Sequence, residues 1–116
     1  MVPVTMQVPE DLANRIRPIG SWLPTILELG LHGYRTPAAA TAAEIVEFLT
    51  TNPAPQEVFD YHVTARAQSR LQRLLALNQA GLLGEQEKQE LDESQRIEHT
   101  LILLKARLAG QVQTST

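Results

Sequence analysis

Cysteine is absent from these 116 residues, which excludes disulfides, thiolate metal ligands and a cysteine nucleophile. Aromatic side chains are scarce, at 4%, so packing must rest on Leu, Ile, Val and Ala, which suits helices packed closely on one another. There is no basic surplus: the formal net charge of -3 argues against a nonspecific polyanion binder. No apolar run reaches the roughly 20 residues that a membrane-spanning helix needs. The opening, Met1 to Gln7, lacks the basic residues and unbroken apolar stretch of a secretory signal, so a cytoplasmic location is expected. What remains is a hydrophobic fraction of 43% and a charged fraction of 20%. Those are globular values at the length of one ordinary domain.

Charge is unevenly spread. From Met1 to Arg35 three acids (Glu10, Asp11, Glu28) balance three arginines (Arg15, Arg17, Arg35), whereas six acids meet four bases between Gly84 and Gly110. The neutral N-terminal end is therefore the place where contact with phosphates is conceivable.

Val4, Met6 and Val8 alternate with Thr5 and Gln7, the period of a short strand with one apolar face. A lone strand needs a partner, either the same strand of a second copy or the helices of its own chain. Pro9, Glu10 and Asp11 then suit a helix start, with Leu12, Ile16 and Ile19 on its buried side and Pro18 and Gly20 at its end. Ser21 is placed to cap a second helix over residues 22–31, with Leu23, Ile26, Leu27 and Leu31 as its apolar stripe. Thr36 and Pro37 repeat the cap-plus-proline signal before an alanine-rich third helix ending at Leu49 or Thr50, packed through Ile45, Val46, Phe48 and Leu49.

Asn52, Pro53, Ala54 and Pro55 are the clearest breaker in the chain. Beyond them the pattern predicts uninterrupted helix over residues 56–80, with Phe59, Val63, Ala67, Leu71, Leu74 and Leu75 near a 3.6 spacing and Arg66, Arg70 and Arg73 elsewhere on the cylinder. Gly81 reads as a helix stop, Leu82 and Leu83 are expected to tuck under the turn, and Glu85 to Glu87 form an acidic first turn for a last helix ending at Leu108 or Ala109. The fold class is mainly α: a short N-terminal strand, three short helices, then a long antiparallel helical hairpin. The division expected is a strand-helix unit over 1–52, a hairpin for protein interaction over 53–110 and a frayed tail over 111–116.

Leu101 to Leu104 cover the whole circumference of a helix, so one neighbour cannot cover them all. Either the N-terminal unit packs on their second side or another chain does. Candidate interface residues are accordingly Val4, Met6, Val8, Leu101, Ile102, Leu104 and Leu108.

Catalytic signals are weak. His32, His62 and His99 form no metal-binding pair, and Gly81 and Gly84 lack the Lys-Ser or Lys-Thr of a phosphate loop. Ser21, His32 and Asp60 make a triad on paper only, because geometry rather than composition defines one. Glu87 with Asp92, and Glu90 with Glu93, read as acids on a solvated helix face. No catalytic, cofactor or metal residues are assigned, no cofactor is expected, and the chain is read as no enzyme.

The order Val4-Thr5-Met6-Gln7-Val8-Pro9-Glu10-Asp11-Leu12, helix, turn, then Ser21-Trp22-Leu23-Pro24, resembles the ribbon-helix-helix fold of small bacterial repressors and antitoxins. The resemblance implies a dimer whose paired strands enter the DNA major groove. Thr5 and Gln7 would then reach base edges and Ser21 would hold a phosphate, although the reading face carries no Arg or Lys. Residues 55–108, from Arg70-Leu71-Gln72-Arg73 through Gln89-Glu90-Leu91-Asp92 to Leu104-Lys105-Ala106-Arg107, resemble small uncharacterised bacterial proteins frequent in cyanobacteria, some regarded as antitoxin-like. That family usually has Ser or Thr where Gly84 stands here.

Two functional expectations follow. One is a non-catalytic interaction scaffold or adaptor, oligomeric and with a dimer favoured. The other is an antitoxin-like or transcriptional regulator that binds DNA through an N-terminal ribbon and a protein partner, such as a toxin, through its C-terminal helices.

Overall fold

A computed structural model describes the backbone of residues 2–114 and the side chains of residues 2–110. Its element order is α1 (Glu10–Ile16), a 3-10 segment (Arg17–Trp22), α2 (Leu23–Leu31), α3 (Ala38–Thr50), α4 (Pro55–Phe59), α5 (Ala65–Gln79) and α6 (Glu85–Thr114). Among the described residues there is no strand. The expected N-terminal strand, and with it the ribbon-helix-helix arrangement, is overturned. Residues 2–9 form an arm with no regular element and no ladder, on which Val4 is 78% and Met6 60% exposed, while Val8 is half-buried. Alternation of side chains supplies no ladder partner, and Pro3 and Pro9 at the arm's two ends have no N–H to donate to one.

The N-terminal helices also differ from their patterns. α1 buries no residue, and Leu12, expected on its inner side, is 40% exposed. The chain instead kinks at Gly20, whose φ of 68° suits glycine and whose Cα faces Asn52 closely enough that a β-carbon would touch its side chain at 3.5 Å. That kink drives Ile19 and Trp22 into the core, where Trp22 Nε1 donates to the carbonyl of Pro53 at 2.9 Å. Ser21 lies exposed inside the 3-10 segment and does not cap α2, whose preceding residue is Trp22. Thr36 does act at the start of α3: its Oγ1 accepts from the Ala38 amide at 3.2 Å.

The core gathers α3, the 3-10 segment, α2 and α4 around the second half of α6, with Ile45, Leu49 and Val58 almost wholly enclosed. Ile97, Leu104 and Leu108 are α6's buried contribution to it. The uninterrupted helix expected over residues 56–80 is split. α4 ends at Phe59 with Asp60 as its cap, residues 61–64 form no helix, and Thr64 caps α5 by accepting from the Ala67 amide at 3.2 Å. The break has a packing cause. Tyr61 stacks on Phe48 with ring centres 4.4 Å apart, and its carbonyl accepts from Lys105 Nζ at 2.6 Å. A continuous helix would have to give up both.

The α5–α6 hairpin is present. Gly81, at φ 72°, donates to the Asn78 carbonyl while Leu82 donates to that of Leu77, the paired bonds that close a helix around a left-handed glycine. Leu82 is not tucked beneath the turn: it is 68% exposed. Gly84 immediately precedes α6, and its amide donates to Glu87 Oε1 at 3.2 Å, one half of a capping box. The segment expected to fray lies partly within α6, up to Thr114, and partly outside the described residues, at 115 and 116.

Candidate binding groove

α5 has an amphipathic sequence, yet Leu74 is its one fully buried side chain. The cause is its position, because α5 packs principally on the first half of α6 and stands away from α3. The gap is an open apolar trough of about 420 Å³. Ala67, Leu71 and Leu75 form one wall, Ile97, Leu101 and Ile102 the other, and Val63 lies at one end. A second hollow of about 670 Å³, between the start of α3 and α5, meets the first at Thr41, Ala67 and Ser94.

Polar contacts hold the walls. Arg70 on α5 grips Glu90 on α6 with both arms of its fork, Nε to Oε2 at 2.7 Å and Nη2 to Oε1 at 3.1 Å. The Glu90 side chain is nearly enclosed and the carboxylate raises the Arg70 pKa further, chiefly through these hydrogen bonds. Three residues on, Glu93 accepts from the backbone amides of Arg35 and Thr36 at 3.1 Å, from Thr36 Oγ1 at 2.7 Å and from Gln89 Nε2 at 3.2 Å. Burial alone pushes the Glu93 pKa up, but these hydrogen bonds favour the charged form and leave it below the ordinary carboxylate value. Glu90 and Glu93, expected on a solvated face, are therefore buried braces: one ties α6 to α5, the other to the start of α3. At the far end Tyr61 Oη donates to Glu44 Oε1 at 3.3 Å, and burial, aided by that carboxylate, pushes the phenol up to about 12.

The residues singled out in the sequence fall in different places. Thr5 and Gln7 are exposed on the arm, and among the described residues there is no strand to present them to DNA. Ser21 is exposed at the kink, far along the chain from either residue. Leu101 and Ile102 line the groove, Ile102 with 56% of its surface open, whereas Leu104 and Leu108 are enclosed by their own chain. His62 also reaches the groove, while His32 lies against Tyr34 with ring centres 5.6 Å apart. Asp60 is held by Gln56 Nε2 at 3.1 Å, and no hydrogen bond joins it to Ser21 or His32. Among the described residues no three His, Asp or Glu side chains are grouped to hold a metal ion, and no helix is long and apolar enough to cross a membrane.

Sequence reasoning assigned Ala67, Leu71 and Leu75 to packing but not to an open surface. No local signal marked them as open, because Leu71, Leu74 and Leu75 fall within the single face that an ordinary packed helix buries. Comparison with known proteins adds no relative: no family model matches the chain, and no curated protein or solved structure is significantly similar to it.

Proposed function

We propose that this chain is a non-catalytic interaction adaptor that receives a helical surface of another polypeptide in the α5–α6 groove. The observation that carries the reading is the row Ala67, Leu71 and Leu75, spaced four residues apart and incompletely covered, facing Leu101 and Ile102 across an open trough. Such a trough suits an amphipathic helix, whose apolar side chains recur at matching intervals. Binding would draw on burial of apolar surface, at about 25 cal/mol for each Å² removed from water. The Arg70–Glu90 and Glu93–Thr36 contacts tie α6 to α5 and to the start of α3 and so hold the walls in place before the partner arrives, which lowers the ordering cost of association.

The test is photo-crosslinking in cells that naturally make the protein, with a photoreactive side chain at position 75 or 102 and a control at the exposed Gln56 of α4. Adducts with a polypeptide at 75 and 102, absent at 56, are expected. Absence of any polypeptide adduct at both groove positions, in protein that accumulates normally, would overturn the reading.

A further inference from the structure

We infer that the occupant of the groove is the same groove of a second copy, so that two α5–α6 hairpins face each other across a two-fold axis and complete a four-helix bundle. The inference rests on the binding reading above and gives it a partner.

Surface area is the first argument. A compact monomer of 12.9 kDa exposes about 6300 Å², whereas this chain exposes 8495 Å², an excess of about 2200 Å². Its radius of gyration, 16.3 Å, likewise exceeds the roughly 13.4 Å of a compact chain of this length. The excess is summed over the whole chain, and the open groove beside α5, where Leu75 is 36% and Ile102 56% exposed, is one of the surfaces that contribute to it. A stable interface needs only about 800 Å² from each partner, so a second copy can be accommodated within that surplus.

Shape is the second argument. A two-fold contact requires knob and hole on the same patch, because each copy presents what the other receives. Here Ile102, 56% exposed, stands at the edge of the trough lined by Leu71, Leu75 and Leu101. Two hairpins placed face to face can seat each ridge in the opposite trough, the arrangement by which paired helices close a bundle core.

Charge is the third. The groove lining holds one carboxylate, Glu98, and one imidazole, His62, among otherwise apolar or neutral side chains. A copy therefore meets itself without opposing blocks of like charge. Arg70 is engaged with Glu90, and Arg66 borders the other hollow. A strongly acidic or basic partner would find no matching row in this lining.

The chain has no native cysteine, so single cysteines report contacts without ambiguity. The purified full-length protein is expected to sediment at twice the monomer mass at micromolar concentration. Ile102→Glu should convert it to monomer with its helical circular dichroism retained, because that side chain is already exposed in one copy. Independently of that variant's folding, Leu75→Cys and Ile102→Cys should give covalent dimers with a short bis-maleimide, and Leu31→Cys should not. A concentration-independent monomer mass overturns the inference. So does an assembly that Ile102→Glu leaves intact, or one that crosslinks through Leu31 rather than the groove. A monomer whose groove photo-crosslinks to a different protein overturns the second copy and leaves the adaptor reading standing. A monomer that yields no adduct overturns both.

Discussion

The guanidinium of Arg70 clasps the carboxylate of Glu90 through two hydrogen bonds, and only the acid is enclosed: the two side chains are 45% and 6% exposed. The asymmetry decides what each substitution does. Arg70→Ala leaves a carboxylate in the α5–α6 seam without its partner, and is expected to lower stability by about 1–2 kcal/mol, less than for a fully buried pair. Arg70→Met combined with Glu90→Leu should recover most of that loss, because an apolar pair of similar size has no charge to desolvate. Urea unfolding of the single and double variants distinguishes the cases. A double variant weaker than Arg70→Ala would contradict the argument.

Glu93 makes stability depend on pH with a definite sign. Its folded pKa lies below the ordinary carboxylate value, so its contribution is fully present above that value and fades as pH falls through the lowered one. Glu93→Gln retains one acceptor oxygen and should cost about 1–3 kcal/mol near neutral pH. The gap between wild type and variant should narrow on acidification. Denaturation midpoints at a series of pH values follow it, and a gap that widens in acid would show the sign to be wrong.

Gly84→Ser should stabilise the hairpin. The glycine already stands where α6 begins and donates to Glu87 Oε1, and a β-carbon there would meet that oxygen at an ordinary 3.6 Å. A serine hydroxyl adds the missing half of the capping box and removes the chain freedom of glycine, together worth about 0.5 kcal/mol. Thermal unfolding reads the change, and a lower midpoint would refute it.

Trp22 is the chain's single tryptophan, 4% exposed and bonded through its indole to Pro53. Its emission should therefore be blue-shifted in the native protein and move to longer wavelength as the core opens. Trp22→Phe is expected to cost about 2 kcal/mol, through the unpaired Pro53 carbonyl and the smaller ring. Differential scanning calorimetry measures that cost, and a cost near zero would remove the anchoring role assigned to this bond.

Much of the helical framework was legible because its signals are local. Thr36 and Pro37 announced α3, Ile45 and Leu49 its buried side, and Gly81 the hairpin turn. The N-terminal strand misled because alternation at Val4, Met6 and Val8 specifies an extended shape, while a strand also needs a neighbour that no local pattern supplies. The break at residues 61–64 was hidden for a similar reason. Tyr61 leaves helical geometry to meet Phe48 and Lys105, residues remote from it in sequence. Glu90 and Glu93 read as solvated acids because charge predicts exposure until a specific donor is brought to it. The groove lay between these extremes, since its residues were visible as an apolar stripe while its openness depends on where α5 stands relative to α3.

The bond between Glu93 and the start of α3 also leads to an expected order of folding, with the hairpin first. Arg70 and Glu90 are 20 residues apart, whereas Glu93 must find the Arg35 amide across 58. Closing the longer loop costs about 0.9 kcal/mol more in chain entropy, and nearby contacts form first when topology governs the rate. The hairpin thus becomes the template on which α3 is fastened. Kinetic φ-values should be high around Gly81 and low at Thr36; the reverse pattern would mean that the N-terminal helices assemble first. In that sequence the newborn hairpin presents Ile97, Leu104 and Leu108 before its own N-terminal half has arrived to bury them.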